Sequence, residues 1–234
     1  MLYLIFCLAV GVLIGTLISR SFIPLWCAWN KKKKRVFSVG VVLDTHSVDD
    51  LVKELSLDRD RIKDAFLKDA YEYITFASEV FQKEFGIEFL VKEIGEAAFP
   101  LEKEGVDTDK FFQETPSMQK RMDADIILGL TIKELCKYEG EQGKKKQIDA
   151  HKTIGGRANT TGGIIVQLAN DKKRVTFYII HEFAHLFFAL HSNDKNSIMY
   201  HKEGDILPPI HFDKKSRTQI LIHKNRAFGH SPEL

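Results

Sequence analysis

The chain has 234 residues, with 34 basic and 32 acidic side chains, and its formal net charge is only +2. Charge this evenly balanced excludes electrostatic capture of nucleic acid as the main activity. A hydrophobic content of 44% is enough for one globular domain with a sizeable core.

From the N-terminus, Leu2 to Ile18 is an unbroken run of apolar and small residues, and Phe22–Trp29 is apolar again after Ser19-Arg20-Ser21. Trp26 and Trp29 suit a membrane interface, and Lys31–Arg35 follows. No Lys or Arg precedes the run, as a cleavable signal would want, which favours an uncleaved anchor over a signal peptide. Residues 1–35 are therefore expected to form a single-pass membrane anchor, or an uncleaved signal, with a basic linker, and 36–234 a folded domain. The positive charges follow the segment, which places that domain in the cytoplasm, with an extracytoplasmic domain as the alternative.

Val36–Leu43 reads as a strand and Asp49–Leu57 as a short amphipathic stretch. From Asp58 to Phe85, apolar residues recur at three and four, which predicts a long helix stopped by Gly86. Ile87–Ile94 is a second strand. Glu96–Gln119, with Pro100 and Pro116, reads as loop with a short helix. Ala124–Leu130 is a buried strand, and Thr131–Gln147 is a charged excursion with its tip at Gly140–Lys146. Cys136 is the one cysteine outside the apolar N-terminus, since Cys7 and Cys27 lie in or near that run. This excludes an intradomain disulfide or a cysteine-based metal cluster there. A glycine-rich segment with Gly155, Gly156, Gly162 and Gly163 precedes a strand at Ile164–Leu168. Asp171 could cap a helix through His185, and Phe212–Ala227 reads as a closing helix. This order implies an α/β (α+β) domain, with helices packed on one twisted mixed sheet of about five strands.

The chemistry concentrates in His181-Glu182-Phe183-Ala184-His185, followed by His191. Positions i and i+4 share a helix face, so His181 and His185 can bind one Zn²⁺ at about 2.0–2.1 Å. Glu182 stands one residue off that face, where a carboxylate can reach a zinc-activated water without being a ligand. His191 lies six positions after His185, so the helix must break for a third imidazole to reach the same metal. Three protein ligands with an open fourth position define a catalytic zinc site, whereas structural sites close with four.

These residues resemble the metzincin clan of zinc metallopeptidases, whose signature is H-E-x-x-H-x-x-G-x-x-H with a following Met-turn. Within the clan, Gly155–His191 is most similar to the archaemetzincins, with the matrixins next. The resemblance implies a metzincin-like domain with a long N-terminal helix, an active-site helix and a C-terminal helix. It also implies that Met199 is the Met-turn methionine beneath the three imidazoles. Ser192 and Ser197 stand where the first two cysteines of the archaemetzincins' second zinc site would fall, so one zinc is expected. Phe188 replaces the signature glycine, and a left-handed conformation there would cost roughly 1–2 kcal/mol. Tyr200 reads as a packing residue, while His201, His211, His223 and His230 lack ligand-like spacing. No PRCGxPD-like segment offers an inhibitory cysteine, so latency by a cysteine switch is not expected.

The expected activity is zinc-dependent hydrolysis of peptides or proteins, with Glu182 as general base and no nucleic-acid partner. An extended substrate would pair with the edge at Gly155, Gly156, Gly162 and Gly163. An aminopeptidase with the same zinc site is an alternative. So is a catalytically silent zinc-binding module that offers the glycine-rich edge to a partner strand. Membrane contact is expected through residues 2–29.

Overall fold

The computed structural model describes residues 33–102, 105–136, 138–139, 146–147, 155–200 and 209–228. The chain opens with β1 (Arg35–Asp44), α1 (Thr45–Leu55), α2 (Arg59–Phe85) and β2 (Ile87–Ala97). Short strands β3 (Leu101–Glu102) and β4 (Gly105–Asp107) lead into α3 (Thr108–Met122) and β5 (Ile126–Thr131). After β6 (Leu135–Cys136), β7 (Tyr138–Glu139) and β8 (Lys146–Gln147) come β9 (Gly156–Ala158) and β10 (Gly163–Gln167). Helices α4 (Lys172–Leu186) and α5 (Lys214–His223) complete the described fold.

The main sheet has five strands in the order β2-β1-β5-β10-β9. The first four are parallel, and β9 pairs antiparallel to β10. Parallel strands are covered on both faces, which explains why β5 and most of β1 are buried throughout rather than alternating. One face receives α2 and α4, with Val39, Val41, Leu43, Leu128 and Ile164 beneath them. The other receives α3, whose Phe111, Met118 and Met122 pack on Val42, Ile127 and Ile165. Gly129 makes this second layer possible, because a Cβ there would stand 2.7 Å from the Phe111 ring.

Phenylalanines set the position of the last long helix. Phe89 of β2 and Phe183 of α4 stack with centroids 4.0 Å apart, and Phe81 of α2 meets Phe183 edge-on at 6.3 Å. With Phe183 and Phe187 turned to the core, His181 and His185 are left to the other side of α4. The C-terminal segment is tied to the long helix by Lys224, whose buried Nζ donates to the Phe85 carbonyl at 2.8 Å and to that of Lys33. This satisfies the end of α2, where Gly86 takes the left-handed cap at φ 70°.

Three expectations are revised. The short helix expected within the loop Glu96–Gln119 is a 15-residue helix, α3, with Pro116 inside it. Proline removes one backbone bond, but the buried Phe111, Thr115, Met118 and Met122 hold the helix by packing. The glycine-rich segment supplies β9 of the sheet. The closing helix is shorter than expected, starting at Lys214 because Asp213 caps it.

The single-pass membrane localisation is corrected. Among the described residues no helix is long and apolar enough to cross a membrane. The longest, α2, has 27 residues but a polar exposed face. Residues 2–29, on which the anchor was expected, lie outside the described residues, as do His151, His201 and His230.

Candidate metal centre

Helix α4 begins at an Asp171 cap, whose carboxylate accepts from the Lys173 and Arg174 amides. It carries His181, Glu182 and His185 and ends at Leu186. The last turn closes as a Schellman motif: the Phe188 amide donates to the His185 carbonyl at 2.9 Å, and the Ala189 amide to the Ala184 carbonyl at 3.2 Å. Phe188 occupies the left-handed position at φ 60°, where glycine is usual. The helix thus breaks where the sequence requires it to break, and with the non-glycine residue in the strained place.

The reversed chain brings His191 back. The Nε2 atoms of His185 and His181 are 3.0 Å apart, and those of His185 and His191 are 3.2 Å apart. Among the described residues these three histidines form a group whose ligand atoms all lie within 4.8 Å of one another. The opposite ring nitrogens are committed elsewhere. His181 Nδ1 lies 2.8 Å from the Ile198 carbonyl, and His185 Nδ1 lies 2.6 Å from that of Ala189. A carbonyl only accepts, so Nδ1 carries the proton in both rings. Burial holds both imidazoles neutral, lowering His181 to about 3 and His185 to about 4.

Each neutral ring therefore turns an Nε2 lone pair toward its neighbour. Two acceptors 3.0 Å apart repel unless a cation lies between them. Four tetrahedral ligands at about 2.0–2.1 Å from zinc stand about 3.3 Å apart, close to the observed spacing. The donor set fits a zinc ion, and the two carbonyls would then be the outer partners that fix the tautomers of His181 and His185.

Met199 is fully buried, within a turn whose ends are pinned by backbone bonds. The Tyr200 amide donates to the Ser197 carbonyl at 3.0 Å, and the Ser192 amide to the Met199 carbonyl at 2.7 Å. Ser197 is the keystone of this turn. Its hydroxyl accepts from the Met199 amide at 3.1 Å and donates to Asp213 at 2.8 Å. Asp213 also caps α5, accepting from the Lys215 and Ser216 amides and the Ser216 hydroxyl. Although burial opposes its charge, the bonds from Ser216, Ser197 and the Lys215 amide hold Asp213 at about 2. Its pKa lies below the ordinary carboxylate value, so its contribution is present above about pH 4 and is lost as pH falls toward 2. That contribution is about 2 kcal/mol. Replacing Asp213 by Asn is expected to flatten the unfolding-versus-pH curve over this window, as followed by thermal melts.

Glu182 is 5% exposed, and burial pushes its carboxyl up to about 8, with Arg157 of β9 opposing. It lies directly against β9: a Cβ on Gly156 would stand 2.8 Å from Glu182 Cγ. A Cβ on Gly155 would overlap the Tyr178 ring at 2.1 Å. Gly162 takes φ 103°, and a Cβ on Gly163 would meet the Thr115 hydroxyl at 2.7 Å. All four glycines thus serve close packing, two of them by letting α4 sit against β9.

The sequence reading missed Arg226. Its guanidinium donates to the Leu186 carbonyl at 2.6 Å and to that of Thr160, and lies between the rings of Phe188 and Phe228. Asp213 was missed as well, though a serine or aspartate just before a helix is a legible capping signal.

Comparison with solved structures adds the wider frame. The archaemetzincin of Methanopyrus kandleri is similar over 81% of this chain and 96% of its own, with a TM-score of 0.53 and 17% identity. Metalloproteinase-II from Bacteroides fragilis is similar over 82% of this chain and 54% of its own, with a TM-score of 0.50 and 11% identity. The fold is metzincin-like. No protein-family model and no curated protein matches the chain. At these identities the metzincin-like likeness concerns the fold alone, and the chemistry rests on the histidines themselves.

Proposed function

We propose that the chain is a metzincin-like zinc peptidase, archaemetzincin-like in its active-site segment but with a single zinc. The observation that carries this reading is the convergence of three Nε2 atoms with two tautomers fixed by carbonyls, beside the buried Glu182. His181, His185 and His191 would hold the ion. When bound, zinc supplies Lewis acidity, which polarises a peptide carbonyl and eases loss of a proton from water. The charge of the bound ion would offset the effect of burial and favour ionised Glu182, whose carboxylate would take that proton and return it to the leaving amine. Met199 forms the apolar support under the rings. Ser197, at a position where a second-zinc cysteine would fall, is used to hold the Met199 turn, which supports one zinc instead of two.

The substrate is a peptide in extended form. Strand β9 ends the described sheet and lies against Glu182, so a peptide added to it as a further strand would pass the three histidines. Internal cleavage is the preferred reading, because strand addition needs substrate on both sides of the scissile bond.

Metal analysis of the full chain and cleavage of a peptide library, with and without chelator, test this directly. One equivalent of zinc and chelator-sensitive cleavage are expected; a purified, folded chain that binds no zinc would sink the reading. Gly156→Ala should act on catalysis alone. The added methyl pushes Glu182 aside, lowering kcat by up to about 100-fold while zinc affinity stays unchanged.

A further inference from the structure

The break after α4 has more to do than reverse the chain. It delivers His191, and through Ala189 it supplies the carbonyl that fixes the tautomer of His185. Two of the three histidines therefore depend on one turn, and that turn has phenylalanine in its left-handed position. Glycine would hold this conformation freely, whereas a bulky residue must be held there by its surroundings.

The surroundings are specific. Phe188 is 38% exposed, yet its ring is gripped on two sides. The Arg226 guanidinium lies 4.4 Å from its centroid, and the His223 ring meets it edge-on at 4.7 Å. The same guanidinium lies 4.6 Å from the Phe228 ring, completing a sandwich. One nitrogen donates to the carbonyl of Leu186, the last residue of α4, and another reaches the Thr160 carbonyl before β10. Arg226 thus bonds the end of the helix and packs on the residue that breaks it. Arginine suits both tasks, because its planar fork can donate in two directions while its face stacks.

We infer that Arg226 and Phe188 form a positioning pair for the metal centre: the stacked guanidinium holds Phe188 in its left-handed conformation, and so sets where His185 and His191 point. The inference rests on the zinc reading above. It makes Phe188 a replacement for the signature glycine with its own support, and not a defect in the site.

A double-mutant cycle in the full chain tests the pair, using Arg226→Ala, Phe188→Gly and the combination. Zinc dissociation constants come from chelator competition, and the ligand geometry from the visible absorption of the cobalt-substituted protein. Arg226→Ala is expected to weaken zinc by about 10–100-fold with Phe188 present, as loss of an outer support does. In the Phe188→Gly background the same change should cost less than about threefold, because glycine needs no support to turn left-handed. An equal loss in both backgrounds would show Arg226 to be a general stabiliser and overturn the inference. Arg226→Lys keeps the charge but not the fork or the stacking face, and is expected to behave like Arg226→Ala; full rescue by lysine would also overturn it. If the wild type binds no zinc, the metal reading fails separately. The cycle is then read from thermal midpoints of the metal-free chain, where coupling supports the pair and additivity refutes it.

Discussion

Replacing Glu182 by alanine is expected to lower peptide cleavage by about 10²–10⁴-fold, the range for loss of a positioned general acid–base group. Zinc content should stay at one equivalent, because Glu182 is not among the three converging residues. The expectation rests on position. Glu182 is adjacent to His181 on α4, is held against β9 by the absence of a side chain on Gly156, and is buried. A structural zinc site has no use for a buried carboxylate beside its ligands. Its burial is costly and would be relieved by any neutral residue of similar shape. Glu182→Gln should therefore be as inactive as Glu182→Ala, yet at least as stable in thermal melts. Full activity in either variant would exclude Glu182 as the base. Loss of zinc in both would recast it as part of the metal's support.

Much of the frame was legible because its signals are local. The long helix Arg59–Phe85 shows apolar spacing of three and four residues and stops at Gly86, and the structure caps it there at φ 70°. Strands β1, β5 and β10 appear as short apolar runs because each is covered on both faces. A short helix was legible in this stretch, but the 15-residue extent of α3 was concealed by Pro116 and by a polar composition. Its helicity comes from burial of Phe111, Met118 and Met122 against Val42 and Ile127, partners distant in sequence. Strand β9 was concealed for a related reason. Glycines make a poor strand by propensity, and Gly156 is extended because it pairs with Val166 and packs under Glu182.

The site divides in the same way. His181, Glu182 and His185 follow from helical geometry, and the need for a break before His191 follows from the spacing. What holds the break does not. Arg226 lies 38 residues from Phe188, and Asp213 reaches the Met199 turn through Ser197, contacts set only by the folded chain. The glycines have a second meaning besides the expected substrate edge. Gly155 and Gly156 mark close approach at β9, and the approach seen is that of α4.

Chelation should destabilise the chain by an amount that reports how much of the site the metal holds. At free zinc 1,000 times above its dissociation constant, binding to the folded state alone adds about 4 kcal/mol. For a chain of this length, that corresponds to about 8–16 °C in the thermal midpoint. The physical source is visible in the ring geometry. Without a cation, His181 and His185 keep two lone pairs 3.0 Å apart, and burial opposes the protonation that would relieve them. The rings must then separate, pulling on the Ile198 and Ala189 carbonyls that fix them. Amide exchange should accordingly rise first in residues 187–200, while β1, β5 and β10 keep their protection. His185→Ala should melt like the chelated wild type and gain nothing from added zinc. His191→Ala decides the third ligand: it should lose most of the zinc-dependent shift, since a two-histidine site binds far more weakly. Retention of the full shift in His191→Ala would remove that residue from the metal. Retention in His185→Ala would mean that zinc stabilises the chain from somewhere else.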